Sequence, residues 1–158
     1  MLIAALLLYA AIVLLPILVS LFVGTGEEAS PVRTASFLIA EASFVMFILQ
    51  PVLAARIRKL DRLFGLDRVY IFHKGAGMTA TGVLLTAAAL LSADGSVQVA
   101  AVPAVTALVS LGLVVTALLY RELHLNSETW RLMHNIAAAT VIVLISFYLF
   151  FITGPGHL

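Results

Sequence analysis

Five apolar stretches, separated by short polar loops, constrain this chain more than any other feature. About 20 apolar residues make an α-helix long enough to cross the hydrocarbon core of a bilayer, where only helices and closed barrels satisfy their backbone polar groups. The stretches fall at about 2–23, 34–55, 68–92, 97–120 and 129–153. They predict an all-α integral membrane bundle of five transmembrane helices, with residues 1–158 forming a single domain. Composition agrees: 63% of the residues are apolar and 11% charged, against an apolar share near 45–50% in soluble domains. The absence of cysteine excludes disulfides, thiolate haem ligation, cysteine-bound iron–sulfur clusters and a cysteine nucleophile. No basic cluster is interleaved with aromatics in a polar setting, so nothing supports nucleic-acid binding.

The first span lacks a basic leader and is longer than the apolar core of a signal peptide, so it reads as a retained helix. Pro16 bends it, as Pro51 and Pro103 bend the second and fourth spans. A polar turn with Glu27 and Glu28 follows the first span, and the loop from Arg56 to Arg68 is the most charged in the protein. Asp67 is positioned to cap the third span and Asn126 or Ser127 the fifth. Eight of the nine Lys and Arg residues lie at the loops joining the second to third and fourth to fifth spans; Arg33 is the exception. The positive-inside rule then predicts a cytoplasmic amino terminus and an outer carboxy terminus. A multi-pass protein of a bacterial or archaeal cytoplasmic membrane is the expected setting.

Two of the four histidines stand inside spans. His73, in Phe72-His73-Lys74, and His134, in Met133-His134-Asn135, each lie about five residues into a helix. At ~1.5 Å per residue both sit some 7 Å inside, on helices running the same way. Equal depth on parallel helices is the arrangement of a bis-histidine haem, since neutral imidazole is a good axial iron ligand. Gly77 and Ala80 near His73, with Ala137, Ala138 and Val141 near His134, leave room for a macrocycle. The plain alternative is interfacial histidines bonded to backbone among ordinary small packing residues. Zinc has less support, because no carboxylate or third histidine joins the pair at ligand spacing.

Gly65-Leu66-Asp67-Arg68, then Phe72-His73-Lys74, then a second histidine at the start of the span two helices later, resembles the ferric reductase-like transmembrane domain. That family includes the membrane halves of NADPH oxidases and bacterial ferric reductases. The resemblance covers roughly residues 40–151. It implies one haem b held by His73 and His134 on the cytoplasmic side, with Arg68, Lys74 and Arg131 available to its propionates. Ordinary positive-inside anchoring accounts for those three residues equally well.

The departures from the family pattern are informative. The family carries a further histidine about four turns along each helix for an outer haem; here those positions hold Thr86-Ala87 and Phe147-Tyr148. The outer haem is therefore expected to be absent, its space filled by Phe147 and Tyr148 or lining a pocket for a quinone. The family's usual sixth helix and its flavin and nicotinamide domain have no counterpart, and no glycine-rich phosphate loop occurs. A haem near one face does not carry electrons across ~30 Å of hydrocarbon. The expected partners are a separate flavin or iron–sulfur redox protein or another membrane subunit, possibly with a quinone, all within the lipid bilayer.

Glu41 falls about eight residues into the second span, roughly 10–12 Å deep by helical rise. A charge at that depth is costly, so Glu41 is expected to be protonated, paired or facing a cavity. It is a candidate proton relay; the alternative is a neutral carboxyl bonded to a backbone carbonyl or to Ser or Thr on a neighbouring helix. His124 and His157 read as solvated, with His124 a substitute ligand should His134 be misplaced. Tyr9, Tyr70, Tyr120 and Trp130 sit at span boundaries as an aromatic belt. No residues are spaced for hydrolytic catalysis. Three functions follow: an electron-carrying b-type cytochrome subunit, a haem-free structural or assembly subunit, and a self-contained reductase. Two axial histidines disfavour the last, since they leave iron no open position.

Overall fold

A computed structural model describes residues 2–23, 30–55, 57–95, 97–120, 122–124 and 126–153. The turn with Glu27 and Glu28, residues Arg56 and Arg121, and the tail with His157 lie outside them. The chain forms α1 (Leu2–Val23), α2 (Pro31–Ala54), α3 (Arg58–Phe64), α4 (Leu66–Ala93), α5 (Val97–Leu119) and α6 (Ser127–Thr153). Five of these, all except α3, are long and apolar enough to cross a membrane, as the sequence predicts.

The helix starts differ from expectation for local reasons. α2 begins at Pro31 rather than Thr34: the Ser30 hydroxyl accepts from the Arg33 amide at 3.2 Å, and proline at the first helical position costs no hydrogen bond. The charged loop before the third span is partly helical, as α3, and Gly65 with φ 80° turns the chain from α3 into α4. Asp67 is therefore not the cap. It stands inside the first turn of α4, where its charge still complements the helix dipole. At α6, Asn126 caps by accepting from the Glu128 amide at 2.9 Å.

Helix α2 packs on α4 and α6, and α5 also packs on α4 and α6, so these four close a ring. Its diagonals are α4 with α6 and α2 with α5. The tightest seam is α2 on α4, where Ser43 donates to the Ala80 carbonyl at 2.9 Å and Ala40 and Ala80 are fully buried. Small residues at such a seam let two backbones approach, the usual basis of helix association in lipid.

Helix α1 stands outside the ring. None of its spanning residues is buried, as expected of a helix that is apolar all round and faces lipid. It packs on α2 and reaches α4 through an edge-to-face contact of Tyr9 with Phe72, centroids 5.0 Å apart.

Two layers of side chains fill the bundle interior away from the basic loops. Phe47, Leu84, Ala107, Val141 and Ile145 form one with Met46 and Ala80. Ala40, Ala87, Leu91, Ala100 and Tyr148 form the next. Each layer draws on all four ring helices.

Candidate functional site

At the other end of the ring, towards the basic loops, the interior opens into a cavity of about 510 Å³ lined by α2, α4, α5 and α6. That volume is typical of a small-molecule or cofactor site, as is a mostly apolar wall bearing a few polar groups. The polar groups include His73, Lys74, Gln50, Ser110, His134 and Asn135.

His73 stands seven residues after Leu66 and His134 seven after Ser127. Both helices begin earlier than the sequence suggests, by about two residues, so each histidine is ~10 Å from its helix start and the depths still match. α4 and α6 occupy opposite corners of the ring, and the two imidazoles line one cavity. The backbone of Gln50 lies beside the His73 ring. Trp130 lies nearly parallel to the His134 ring, centroids 4.9 Å apart and planes at 27°.

Of the other residues singled out in the sequence, Lys74, Gly77 and Ala138 line the same cavity. A Cβ on Gly77 would meet the Gln50 Oε1 atom at 3.6 Å, so glycine and alanine keep the space open. Arg68 and Arg131 are exposed at the basic end and are not part of the cavity wall.

Glu41 is elsewhere, at the contact of α2 with α1. There the Ser20 hydroxyl meets its two carboxylate oxygens at 2.9 and 3.1 Å, the serine partner on a neighbouring helix that its depth anticipates. His124 is exposed in the loop before α6, its Nδ1 2.8 Å from the Glu122 carbonyl, and it does not line the cavity.

Thr86-Ala87 and Phe147-Tyr148, where the resemblance would place outer histidines, differ in how they are buried. Tyr148 is 4% exposed and packs in one cluster with Ala87, whereas Phe147 is 54% exposed and points away from the interior. Of the two aromatics expected either to fill an outer-haem space or to line a quinone pocket, only Tyr148 turns into the packed interior, because successive residues of a helix lie ~100° apart.

Three residues were passed over in the sequence. Trp130 and Tyr70 read as boundary aromatics, yet both line the cavity. Gln50 lines it too, 9% exposed, its Nε2 bonded to the Met46 carbonyl and its Oε1 buried without a partner. A glutamine one helical turn from the end of an apolar span was the signal available for it. No family model, curated protein or solved structure matches the chain.

The cavity wall brings together the side-chain types expected around a flat, apolar macrocycle. Two imidazoles come from opposite corners, glycine and alanine line the walls between them, and Lys74 brings a positive charge. A zinc site fits less well: among the described residues, no three His, Cys, Asp or Glu side chains group together, short of the usual ligand set.

Proposed function

We propose that this chain is a b-type cytochrome subunit, an electron-transfer component of an oxidoreductase of the ferric reductase-like kind rather than a complete enzyme. The observation that carries this reading is the pair of depth-matched histidines lining one 510 Å³ cavity from opposite corners of the four-helix ring. Haem b bound there supplies a one-electron carrier whose potential depends on its axial ligands and on burial.

The chain's own residues have distinct parts. His73 and His134 each provide a ring nitrogen. Gly77 and Ala138 leave the slot between them, and apolar residues of all four helices exclude water. Lys74, at the cavity wall, would be available to a propionate, and Arg68 and Arg131 add positive charge at the same end of the bundle. Were His73 and His134 both to hold the haem iron, exchange of single electrons would be favoured over chemistry on a bound substrate.

In this reading the basic loops face the cytoplasm, following the positive-inside rule. The electron donor or acceptor is a separate flavin or iron–sulfur protein, another membrane subunit, or a quinone. Glu41, bonded to Ser20 outside the cavity, belongs to the seam between α1 and α2 in this reading rather than to a proton path.

One observation favours the second reading, a haem-free structural subunit. The Nδ1 atoms of both histidines are buried with no acceptor, whereas metal-ligating histidine usually donates its other N–H to a fixed partner. A reduced-minus-oxidised absorption spectrum of the purified chain separates the two. Sharp low-spin haem bands, abolished in His73→Ala and His134→Ala, are expected; no haem, or haem undiminished in both variants, rejects the cytochrome.

A further inference from the structure

The two imidazoles of the cavity are held in different ways. His73 has the backbone of Gln50 beside its ring. Both rings have their Nδ1 buried without a hydrogen-bond partner, and the group against the His134 ring is aromatic. Trp130, one turn earlier on α6, lies almost parallel to the imidazole at 4.9 Å. Tyr120, just past the end of α5, packs in turn on Trp130, with centroids 5.1 Å apart and planes at 33°. Residues four apart on a helix are surface neighbours, so the stack is built into the spacing of α6.

An imidazole that serves as a ligand must present one nitrogen in a fixed direction. The usual device is a hydrogen bond from the other nitrogen to a carboxylate or carbonyl, which fixes both ring orientation and tautomer. Stacking fixes the plane of the ring without polarising its N–H.

We propose that Trp130 is the positioning residue of His134, its indole face taking the place of the missing hydrogen bond, with Tyr120 bracing the indole from α5. The proposal rests on the cytochrome reading and extends it: Trp130 would make the two histidines inequivalent as iron ligands. His134 stays a plain neutral imidazole held by an aromatic wall. The loop before α6 thereby affects the cavity, because Tyr120 and Trp130 stand on either side of it.

The test uses the full chain in detergent with haem b added, comparing wild type, Trp130→Phe and Trp130→Leu. Far-UV circular dichroism serves as the control for folding. Haem loss to excess apomyoglobin is expected to be about 10-fold or more faster in Trp130→Leu, the usual scale for removing a support of a ligating histidine. Its low-spin electron paramagnetic resonance signal is expected to broaden. Trp130→Phe retains a stacking face and stays within about 3-fold of wild type.

A haem-free readout stands beside this one. In chain labelled with ¹⁵N-histidine, the His134 ring gives one sharp set of resonances in wild type and Trp130→Phe and an averaged, broadened set in Trp130→Leu. Haem retention and His134 resonances unchanged in Trp130→Leu overturn the proposal. A wild-type chain that takes up no haem rejects the cytochrome reading, and the haem-free spectra then decide the positioning role by themselves.

Discussion

The two halves of the four-helix ring use the same four helices to opposite ends. In the half away from the basic loops, Leu84, Leu91, Val141, Ile145 and Tyr148 close the interior almost completely. In the half next to those loops, Gly77 and Ala138 stand at the wall, and the space left over is a cavity with a histidine at each of two opposite corners. A bundle in lipid gains little from hiding apolar surface, because the lipid is equally apolar, so its stability comes from close packing and interhelical hydrogen bonds. The packed half, with its Ser43 to Ala80 bond, therefore holds the helices in place. The open half is free to serve a ligand.

The largest effect that would break this contrast is loss of the proposed haem from the open half. His73→Ala or His134→Ala is expected to remove essentially all haem, read from the reduced-minus-oxidised spectrum, while circular dichroism stays that of a helical bundle. Gly77→Leu comes next. A Cβ at Gly77 is in ordinary contact with Gln50, so a longer apolar side chain enters the cavity without disturbing backbone. Haem content is expected to fall at least about 10-fold, while thermal stability holds within about 1 kcal/mol, since glycine is itself unfavourable inside a helix. A stable variant that still binds haem at full stoichiometry would show that the cavity is not the binding site.

The packed half should respond in the reverse sense. Tyr148→Ala removes a large buried ring and is expected to lower stability by on the order of 3 kcal/mol in a thermal or denaturant melt, as large-to-small core changes do. Haem content should stay at one per chain. Two haems per wild-type chain would contradict the picture of a filled second half.

The smallest effect concerns the seam with α1. Ser20→Ala breaks the contact with Glu41 and is expected to cost about 0.6 kcal/mol, the average of interhelical hydrogen bonds in a membrane protein. Glu41→Gln should leave haem content and the pH dependence of turnover unchanged. A changed pH profile would return Glu41 to the role of a proton relay.

Much of this was legible in the chain because membrane helices announce themselves by length and composition. All five spans were readable, and the equal depth of His73 and His134 survived the revised helix starts because α4 and α6 both begin about two residues early. Asp67 reads as a cap because a charged residue before an apolar run looks like one, whereas α3 and Gly65 bring the helix start forward to Leu66. Trp130 is hidden in the sequence for a related reason. An aromatic at a span boundary has the same address whether it faces headgroups or a cavity, and only its angle around the helix separates the two.

The amino-acid sequence thus determined how many helices are long and apolar enough to cross, where they begin to within a few residues, and how far along its helix each histidine lies, because these depend on hydropathy and rise along a single helix. Which helices touch was decided by tertiary packing alone. That α4 and α6 stand at opposite corners, that Tyr148 rather than Phe147 turns inward, and that Trp130 stacks on His134 all depend on how each helix is rotated about its axis. In lipid that rotation is set by the contacts of small residues between helices, and an apolar stretch exposed on every side carries no strong pattern to reveal it.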